Sequence, residues 1–456
     1  MPILDDLRTL FGDAHVLTGD DAPQRDWTGL YRWRPLALVR PGTTGEVAAV
    51  MRLAHEAGAP VVPVGGNTGL NGGTSAEGAL MLSLERLNRI RTYSPSARTI
   101  TAEAGVVVDV LHRHVEGAGL IFPLRFGASG SATLGGVLST NAGGANVLRY
   151  GMVRDLCLGL EVVLADGRVM NLMNALHKDN TGYDLRDLMI GAEGTLGIIT
   201  GAVMRLEPAP VAHATALLGM ADLEAALALL NRVQAGTGGA VEAFEFMPEA
   251  YMARLARVKP DLACPFAPSP VNILLETATT ITGEDPVARL ETLLLPDLEA
   301  GVITEAVIAQ SQAQRAKLWA MREAAAEITF TTPDLVDTDI SLPLDRLPGF
   351  VERMAARIGA LDPAAEILMI AHLGDGNIHY TVYPGTSGPA LKAEMRAAIA
   401  EQTVALGGSF SAEHGVGLSK RQTMARHKDP VALEVMRAIK AALDPKGILN
   451  PDKVLP

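Results

Sequence analysis

The chain is poor in the residues that build disulfide frameworks or basic binding surfaces. Its 456 residues include only two cysteines, Cys157 and Cys264, which do not form a Cys-x-x-Cys pair. This excludes a disulfide scaffold or a zinc finger and predicts a reducing compartment. Acidic residues outnumber basic ones 51 to 39, giving a net charge of −12, so nucleic acid and anionic membrane are disfavoured as partners.

Long apolar runs are also missing. No segment reaches the roughly 18 uninterrupted apolar residues that a membrane helix needs. The N-terminus lacks a basic start followed by an apolar stretch, so no secretory signal is expected. The composition, with 48% hydrophobic and 20% charged residues, is that of a globular protein, which we expect to be cytoplasmic and without a membrane span.

The hydrophobic pattern predicts an α+β fold, and the length predicts about two or three domains. We expect a helical lead-in at 1–33, a first domain at 34–209 that ends near Pro208-Ala209-Pro210, and a second domain at 210–456. Predicted strands cover 36–39, 60–64, 271–277 and 338–342, and predicted helices cover 44–57, 221–234, 310–328, 347–358 and 431–443.

The segment from Ile367 to Tyr383 predicts a β-hairpin, because apolar residues flank Gly374-Asp375-Gly376-Asn377. With Asp375 and Gly376 as a two-residue turn, His372 would pair with His379. Opposed side chains in such a pair have Cβ atoms roughly 4.5–5.5 Å apart, close enough to share a metal ion. A surface hairpin with two solvated histidines fits this segment equally well.

Three loops rich in small residues indicate a nucleotide site. They are Gly65–Thr74, Pro123–Gly136 continuing to Thr140–Gly144, and Lys178–Leu185 with Gly191–Thr200. Backbone N–H groups in such loops can cradle phosphates. Neither the Rossmann fingerprint nor the Walker loop is present. Three separated loops suit an extended dinucleotide, whereas the first loop alone could be a flexible glycine turn.

These motifs resemble the FAD-binding domain of the vanillyl-alcohol oxidase superfamily. With the His372–His379 segment and Ser411-Ala412-Glu413-His414-Gly415, the chain from about residue 34 onward resembles the D-2-hydroxyacid dehydrogenases of the D-2-hydroxyglutarate and D-lactate type. The resemblance implies a PCMH-type FAD-binding domain of two subdomains, followed by a mixed α+β substrate domain. It also implies FAD held without a covalent link, with the isoalloxazine at the interface between domains.

The resemblance further implies the residues of the cofactor site. They are Pro63, Gly65, Gly66, Asn67, Thr68, Gly69, Leu70, Pro123, Gly127, Ser129, Thr133, Gly135, Gly136, Asn141, Ala142, Gly144, Gly194, Ile198 and Asn450.

The same resemblance implies the catalytic set. His372, His379 and Glu413 would ligate a metal, most simply Zn²⁺, in an open Lewis-acid site. Asn377 and His414 would face the substrate, with His414 removing the hydroxyl proton of a 2-hydroxy acid while the C2 hydrogen leaves as hydride to flavin N5. Arg322 would bind the substrate carboxylate. Without the resemblance, Arg322 reads as a solvated helix arginine.

Two positions depart from the hydroxyglutarate pattern, which usually has threonine and lysine where this chain has Ala326 and Asp337. They weaken D-2-hydroxyglutarate as the substrate. Two other functions stay open: a flavin-dependent alcohol oxidase that uses oxygen, and a non-catalytic flavin subunit of a glycolate-oxidase-like complex. By resemblance we expect a homodimer and, as electron acceptor, an electron-transfer flavoprotein or a quinone.

Overall fold

A computed structural model describes residues 2–456 and divides them into two compact units. The first contains the residues up to Gly144, Tyr150–Pro208 and Glu413–Pro456, and the second contains Ala145–Arg149 and Ala209–Ala412. The domain boundaries expected from sequence stay predictions. The compact units differ from them, since the lead-in and residues 413–456 belong to the first unit and Ala145–Arg149 belongs to the second.

The first unit is built on two main sheets. The strands are β1 (Val16–Leu17), β2 (Ala37–Val39), β3 (Val61–Val64), β4 (Leu80–Ser83), β5 (Ile90–Ser94), β6 (Thr99–Glu103), β7 (Leu120–Ile121), β8 (Cys157–Val163), β9 (Val169–Leu172), β10 (Ile198–Arg205) and β11 (Glu207–Pro208). One sheet has the order β1-β2-β4-β3, with β2, β3 and β4 parallel, and the other is antiparallel in the order β5-β6-β10-β8-β9. A short β11-β7 pair stands apart from both.

Eight helices accompany these strands among the described residues. They are α1 (Pro2–Phe11), α2 (Thr44–Ala57), α3 (Val108–Val115), α4 (Leu134–Thr140), α6 (Val153–Leu156), α7 (Leu185–Met189), α15 (Arg421–His427) and α16 (Pro430–Leu443). Helix α5 (Val147–Tyr150) belongs to the second unit except for its last residue. Helix α2 begins where the Thr43 side chain accepts from the N–H of Glu46 and ends at Gly58, whose φ is 63°. An N-cap hydroxyl and a left-handed glycine are the usual start and stop of a helix.

The second unit is organised around one antiparallel sheet of seven strands. The strands are β12 (Ala212–Met220), β13 (Val241–Pro248), β14 (Val271–Thr279), β15 (Ile303–Ile308), β16 (Val336–Ser341), β17 (Glu366–His372) and β18 (Asn377–Tyr383), in the order β15-β12-β14-β13-β17-β18-β16. Its helices are α8 (Leu223–Thr237), α9 (Glu249–Val258), α10 (Pro286–Glu299), α11 (Gln312–Glu323), α12 (Ala325–Thr329), α13 (Leu347–Leu361) and α14 (Pro389–Ala405).

Helices cover both faces of this sheet. One apolar cluster includes Leu229 of α8 and Phe350 of α13, and the other includes Tyr251 of α9, Met321 of α11 and Ile328 of α12. The α+β fold is confirmed. Among residues 2–456, the helices are all too short or too polar to cross a membrane.

The predicted hairpin forms, but its predicted register is wrong by two residues. His372 pairs with Asn377 and Ile370 pairs with His379, so the loop is Leu373–Gly376. The carbonyl of His372 accepts from the N–H groups of Asp375 (3.2 Å) and Gly376 (3.1 Å), and the N–H of Gly374 donates to Phe244 of β13 (3.2 Å). Gly376 has φ of 80°. These bonds stabilise a four-residue loop, a common hairpin connection, in place of the two-residue turn.

A predicted helix at 310–328 is interrupted in the structure. Helix α11 ends at Glu323 and α12 begins at Ala325. The other predicted elements form with shifts of a few residues at their ends, and α2 has the predicted bounds.

Candidate active site

The glycine loop after β3 in the first unit packs backbone against backbone. A Cβ added to Gly65 would lie 2.3 Å from Oγ1 of Thr133, and one added to Gly66 would lie 2.1 Å from the carbonyl oxygen of Ser131. Only glycine permits this approach. The loop therefore lies directly on the N-terminal turn of α4.

A cavity of about 610 Å³ lies beside this contact. It is lined by Gly65, Gly66, Glu85, Asn88, Gly105, Val106, Val107, Val110, Ser131 and Thr133. Oγ1 of Thr133 is buried, and no partner for it is present among the described residues. The cavity lining thus combines glycines, apolar side chains and an unused hydroxyl, a combination that suits a dinucleotide.

All of the predicted cofactor residues lie in the first unit. Pro63 lies in β3, and Gly65, Gly66, Asn67, Thr68, Gly69 and Leu70 follow it; Pro123, Gly127 and Ser129 precede α4; Thr133, Gly135, Gly136 and Asn141 cap or form α4; Ala142 and Gly144 follow it; Gly194 precedes β10, Ile198 begins β10, and Asn450 follows α16.

Asn450 connects two of these loops. Its Nδ2 donates to the carbonyl oxygens of Gly73 (3.1 Å) and Glu193 (2.7 Å). Its Oδ1 is buried, with no partner among the described residues. A Cβ on Gly194 would lie 2.4 Å from Cγ of Pro63. The structure therefore brings the first loop, the loop before β10 and the C-terminal segment together.

In the second unit, the two hairpin histidines lie on one face of the sheet. Asn377 is opposite His372, and His379 is two residues beyond Asn377, so all three side chains share a face. The imidazole rings of His372 and His379 have centroids 5.6 Å apart at an interplanar angle of 75°, and each ring offers a nitrogen within 4.8 Å of one on the other. The register shift of two residues preserves this shared face, because side chains alternate with a period of two.

Glu245 of β13 orients His372. It is directly opposite His372 in the sheet and is 1% exposed. Its Oε1 lies 2.8 Å from Nδ1 of His372, and its Oε2 accepts from Nε of Arg322 at 2.7 Å. Burial alone would raise the pKa of Glu245, but the charges and hydrogen bonds of His372 and Arg322 outweigh it and lower the pKa to about 2.

The partners of His372 define its tautomer. Nε2 of His372 lies 3.3 Å from Nη2 of Arg322, which can only donate. In the neutral ring, Nε2 therefore accepts and the proton is on Nδ1 facing Glu245. Metal-ligating histidines usually donate one ring N–H to a carboxylate or carbonyl, which is the role of Nδ1 of His372 toward Glu245. Arg322 of α11 is thus buried in an ion pair and is not a solvated helix arginine.

Asn377 of β18 is held by hydrogen bonds to the neighbouring strand β16. Its Nδ2 donates to Oδ1 of Asp339 (2.8 Å) and to the carbonyl of Ile340 (3.0 Å). Its Oδ1 is buried and has no partner among the described residues. Asp339 pairs across the sheet with His379, and its Oδ1 lies 3.9 Å from Nδ1 of that ring.

Glu413 and His414 begin the segment that returns to the first unit. The preceding residue, Ala412, donates its N–H to the carbonyl oxygen of Asp339 at 3.3 Å. In the first unit, Nδ2 of Asn71 donates to the carbonyl oxygens of His414 (2.9 Å) and Gly415 (2.7 Å). The backbone on both sides of Glu413 is therefore fixed by hydrogen bonds.

Of the two departures from the expected pattern, Asp337 lies on the histidine face. It pairs with Thr381, whose Oγ1 donates to Oδ1 of Asp337 at 2.7 Å, and Thr381 is two residues from His379. Ala326 is exposed on α12. Sequence reasoning gave no role to Glu245 or Asp339. No local sequence pattern in β13 indicates that Glu245 is buried against a histidine.

A second carboxylate group in this sheet lies away from the hairpin. Glu276 of β14 accepts from Arg315 through Nε (2.7 Å) and Nη2 (2.5 Å), and from Nε1 of Trp319 (2.8 Å). Glu242 is bound by Arg149 at 2.9 Å. Because arginines already neutralise both carboxylates, this group is a structural ion-pair cluster.

Comparison with known proteins defines the class. The family described as FAD linked oxidases, C-terminal domain, matches residues 209–454, and the family described as FAD binding domain matches residues 35–173. A solved structure of p-cresol methylhydroxylase with substrate bound is similar over 99% of this chain and 96% of its own, with a TM-score of 0.76 and 16% identity, which shows the fold. The chain is an FAD-linked oxidoreductase.

Individual relatives narrow the class. A protein of Bos taurus named D-2-hydroxyglutarate dehydrogenase, mitochondrial, is 40% identical over 437 residues, which cover 96% of this chain and 80% of the relative. The D-2-hydroxyglutarate dehydrogenase of Stutzerimonas stutzeri (strain A1501) is 35% identical over 99% of this chain and 98% of its own. The chain therefore belongs to the FAD-dependent D-2-hydroxyacid dehydrogenases of the vanillyl-alcohol oxidase superfamily.

Proposed function

We propose that the protein oxidises a D-2-hydroxy acid to the 2-oxo acid with the help of a divalent metal, most simply Zn²⁺. The observation that carries this proposal is the face shared by His372, His379 and Asn377, with Nδ1 of His372 bound to the buried Glu245. Family membership supplies the reaction class. The relatives named D-2-hydroxyglutarate dehydrogenase make that acid the first candidate substrate.

The cofactor is held by the first unit. We assign the phosphates of FAD to the N–H groups around Gly65 and Gly66, with the buried Oγ1 of Thr133 and Oδ1 of Asn450 as further polar contacts. When bound, FAD supplies a hydride acceptor at N5. The fit rests on the cavity beside the first loop and on these two unused polar atoms.

The metal ligands in this proposal are His372, His379 and Glu413. Two neutral imidazoles and one carboxylate are a common catalytic donor set, which leaves positions for substrate oxygens. The ion would act as a Lewis acid on the hydroxyl and carboxylate of the substrate. The assignment of Glu413 as a ligand is supported by its position in the chain. It follows Ala412, whose N–H donates to the carbonyl of Asp339.

The remaining residues bind the substrate and move its proton. His414 accepts the proton of the substrate hydroxyl, because imidazole exchanges protons near neutral pH. Arg322 uses Nε for Glu245 and has further N–H groups for a carboxylate. The unused Oδ1 of Asn377 accepts a hydrogen bond from the substrate.

Asp337 bears on the choice of substrate. Its carboxylate is held by Thr381 on the face that carries His379, and a second substrate carboxylate placed there would be repelled. This weakens D-2-hydroxyglutarate as the substrate and makes a D-lactate-like acid the second candidate. As electron acceptor we propose an electron-transfer flavoprotein or a quinone, and the family resemblance also supports a homodimer. The low cysteine content supports a reducing compartment, for which we propose the cytoplasm.

The test is anaerobic mixing of the FAD-loaded protein with D-2-hydroxyglutarate, D-malate and D-lactate. The flavin absorbance at about 450 nm should bleach with at least one of these acids. The variant His372→Ala should retain FAD but not bleach, whereas His213→Ala, on another strand of the same sheet, should behave as the unaltered protein. No bleaching by any of the acids would refute the proposal, and fast peroxide formation that survives chelation would favour the alcohol oxidase.

A further inference from the structure

Glu193, in the loop before β10, is buried against the turn that follows His414. Its side chain is 9% exposed, and its Oε1 and Oε2 accept from the N–H groups of Val416 (2.7 Å) and Gly417 (2.9 Å). Consecutive N–H groups that converge on one carboxylate form an anion-binding nest. Here an internal side chain occupies the nest.

The turn is shaped to receive this carboxylate. Gly415 and Gly417 have φ of 74° and 50°, conformations that L side chains rarely adopt. A Cβ on Gly415 would lie 2.7 Å from Oε1 of Glu193. Glu193 itself has φ of 51°, which is unfavourable for a non-glycine residue and is kept where surrounding contacts enforce it.

Other contacts fix the same turn from two more directions. Asn71 binds the carbonyls of His414 and Gly415, and its own carbonyl accepts from Leu418 at 2.8 Å. The carbonyl of Gly417 accepts from the N–H of Val454 at 3.1 Å, and Val454 has φ of 65°. A β-branched residue at positive φ is a strained conformation.

We propose that Glu193 is a positioning residue: its carboxylate binds the N–H groups of Val416 and Gly417 and thereby holds the imidazole of His414 in its reactive place. The loop before β10 then performs two tasks, since it borders the cofactor loops and also fixes the base-bearing turn. This inference rests on the proposed role of His414. It assigns Glu193 no contact with the reacting atoms.

The variant Glu193→Gln tests the proposal in the FAD-loaded protein. Its amide NH₂ would face one of the two N–H donors, so one hydrogen bond is replaced by a donor–donor contact. We expect unchanged FAD content, faster amide exchange in a peptide covering 413–419, and anaerobic flavin reduction slowed at least about tenfold, the loss expected when a general base is misplaced. The substrate used is the D-2-hydroxy acid that bleaches the unaltered protein fastest.

Glu161→Gln is the matched control. Glu161 of β8 is a mostly buried carboxylate of the same unit, bound by Arg91 (2.9 Å) and Thr44 (2.7 Å), and it is far in the chain from the turn. Its variant should lower stability but leave both the exchange of 413–419 and the rate of flavin reduction unchanged. A merely structural role for Glu193 would make the two variants alike.

The outcomes separate this inference from the proposed function. Unchanged exchange at 413–419, an unchanged reduction rate or loss of FAD in Glu193→Gln would each overturn the inference. His414→Asn is measured beside it. Fast reduction in His414→Asn would overturn the proposed base, whereas slow reduction in His414→Asn with fast reduction in Glu193→Gln would overturn the positioning role alone.

Discussion

Replacing Glu245 by glutamine should impair metal binding by changing the tautomer of His372. In the unaltered protein, the carboxylate accepts a hydrogen bond from Nδ1–H of the neutral His372 ring, and Nε2 is the acceptor. In Glu245→Gln, the amide oxygen can still accept from Arg322, but the NH₂ would then face Nδ1. The ring would move its proton to Nε2, the nitrogen that we assign to the metal.

The expected size of this effect follows from general experience with metal-ligating histidines. Loss of a carboxylate behind a metal-ligating histidine typically lowers metal affinity about 10–100-fold, or about 1.4–2.8 kcal/mol. Because Glu245 is 1% exposed and compensates the buried Arg322, the variant should also lose about 3 kcal/mol of folding stability. The two losses are measured separately.

Zinc affinity is measured by competition with a chromophoric chelator, and stability by denaturant unfolding. The control is Glu276→Gln, which removes a buried carboxylate from the adjacent strand β14 where its partners are Arg315 and Trp319, not histidine. Glu276→Gln should lose stability and keep its zinc affinity. If both variants bind zinc as tightly as the unaltered protein, the tautomer argument is refuted.

Three further predictions concern the scaffold. Gly376→Ala should destabilise the protein by about 1–3 kcal/mol, because the φ of Gly376 is 80° and a Cβ there would lie 2.2 Å from the carbonyl oxygen of Leu342. Gly359→Ala is the control: Gly359 lies in open space within α13, so this variant should raise the thermal midpoint of unfolding. Burial raises the pKa of the Cys157 thiol to about 12, so iodoacetamide at pH 8 should label Cys157 only in the unfolded protein, and labelling of the native protein would contradict this. Burial of Glu276 opposes ionisation, but Arg315 and the hydrogen bonds to the carboxylate lower its pKa. A carboxyl group with a lowered pKa stabilises the fold at pH values above its unfolded pKa, and this contribution is lost as the pH falls through the folded pKa. Glu276→Gln should therefore make the free energy of unfolding depend less on pH at acidic pH.

The sequence predicts individual elements well where local signals act alone. Helix α2 has both an N-cap threonine and a C-terminal glycine, and its bounds agree with the prediction. The hairpin was predicted, but its register depends on contacts from outside the segment. Phe244 and Leu342 bind the loop that lengthens the turn to four residues.

The candidate site could be predicted only in part for the same reason. Motifs name His372, His379 and Asn377, because these residues are close in sequence. Glu245 is 127 residues from His372 and Glu193 is 223 residues from Val416, and no local pattern connects them. Residues that orient other residues are defined by sheet pairing and tertiary packing, which a single sequence does not display.

The discontinuity of the first unit has a consequence for how the protein is made. Strand β3 is synthesised early, but the segment that pairs with it, around Ile448 to Asn450, is synthesised last. The N–H of Val61 donates to the carbonyl of Ile448, and the N–H of Asn450 donates to the carbonyl of Val61, both at 2.8 Å. The seven-stranded sheet of the second unit is synthesised before this partner exists. Domains generally fold as units during synthesis, and contacts distant in sequence form slowly. The contacts of β3 are therefore complete only after the whole inserted unit has been synthesised.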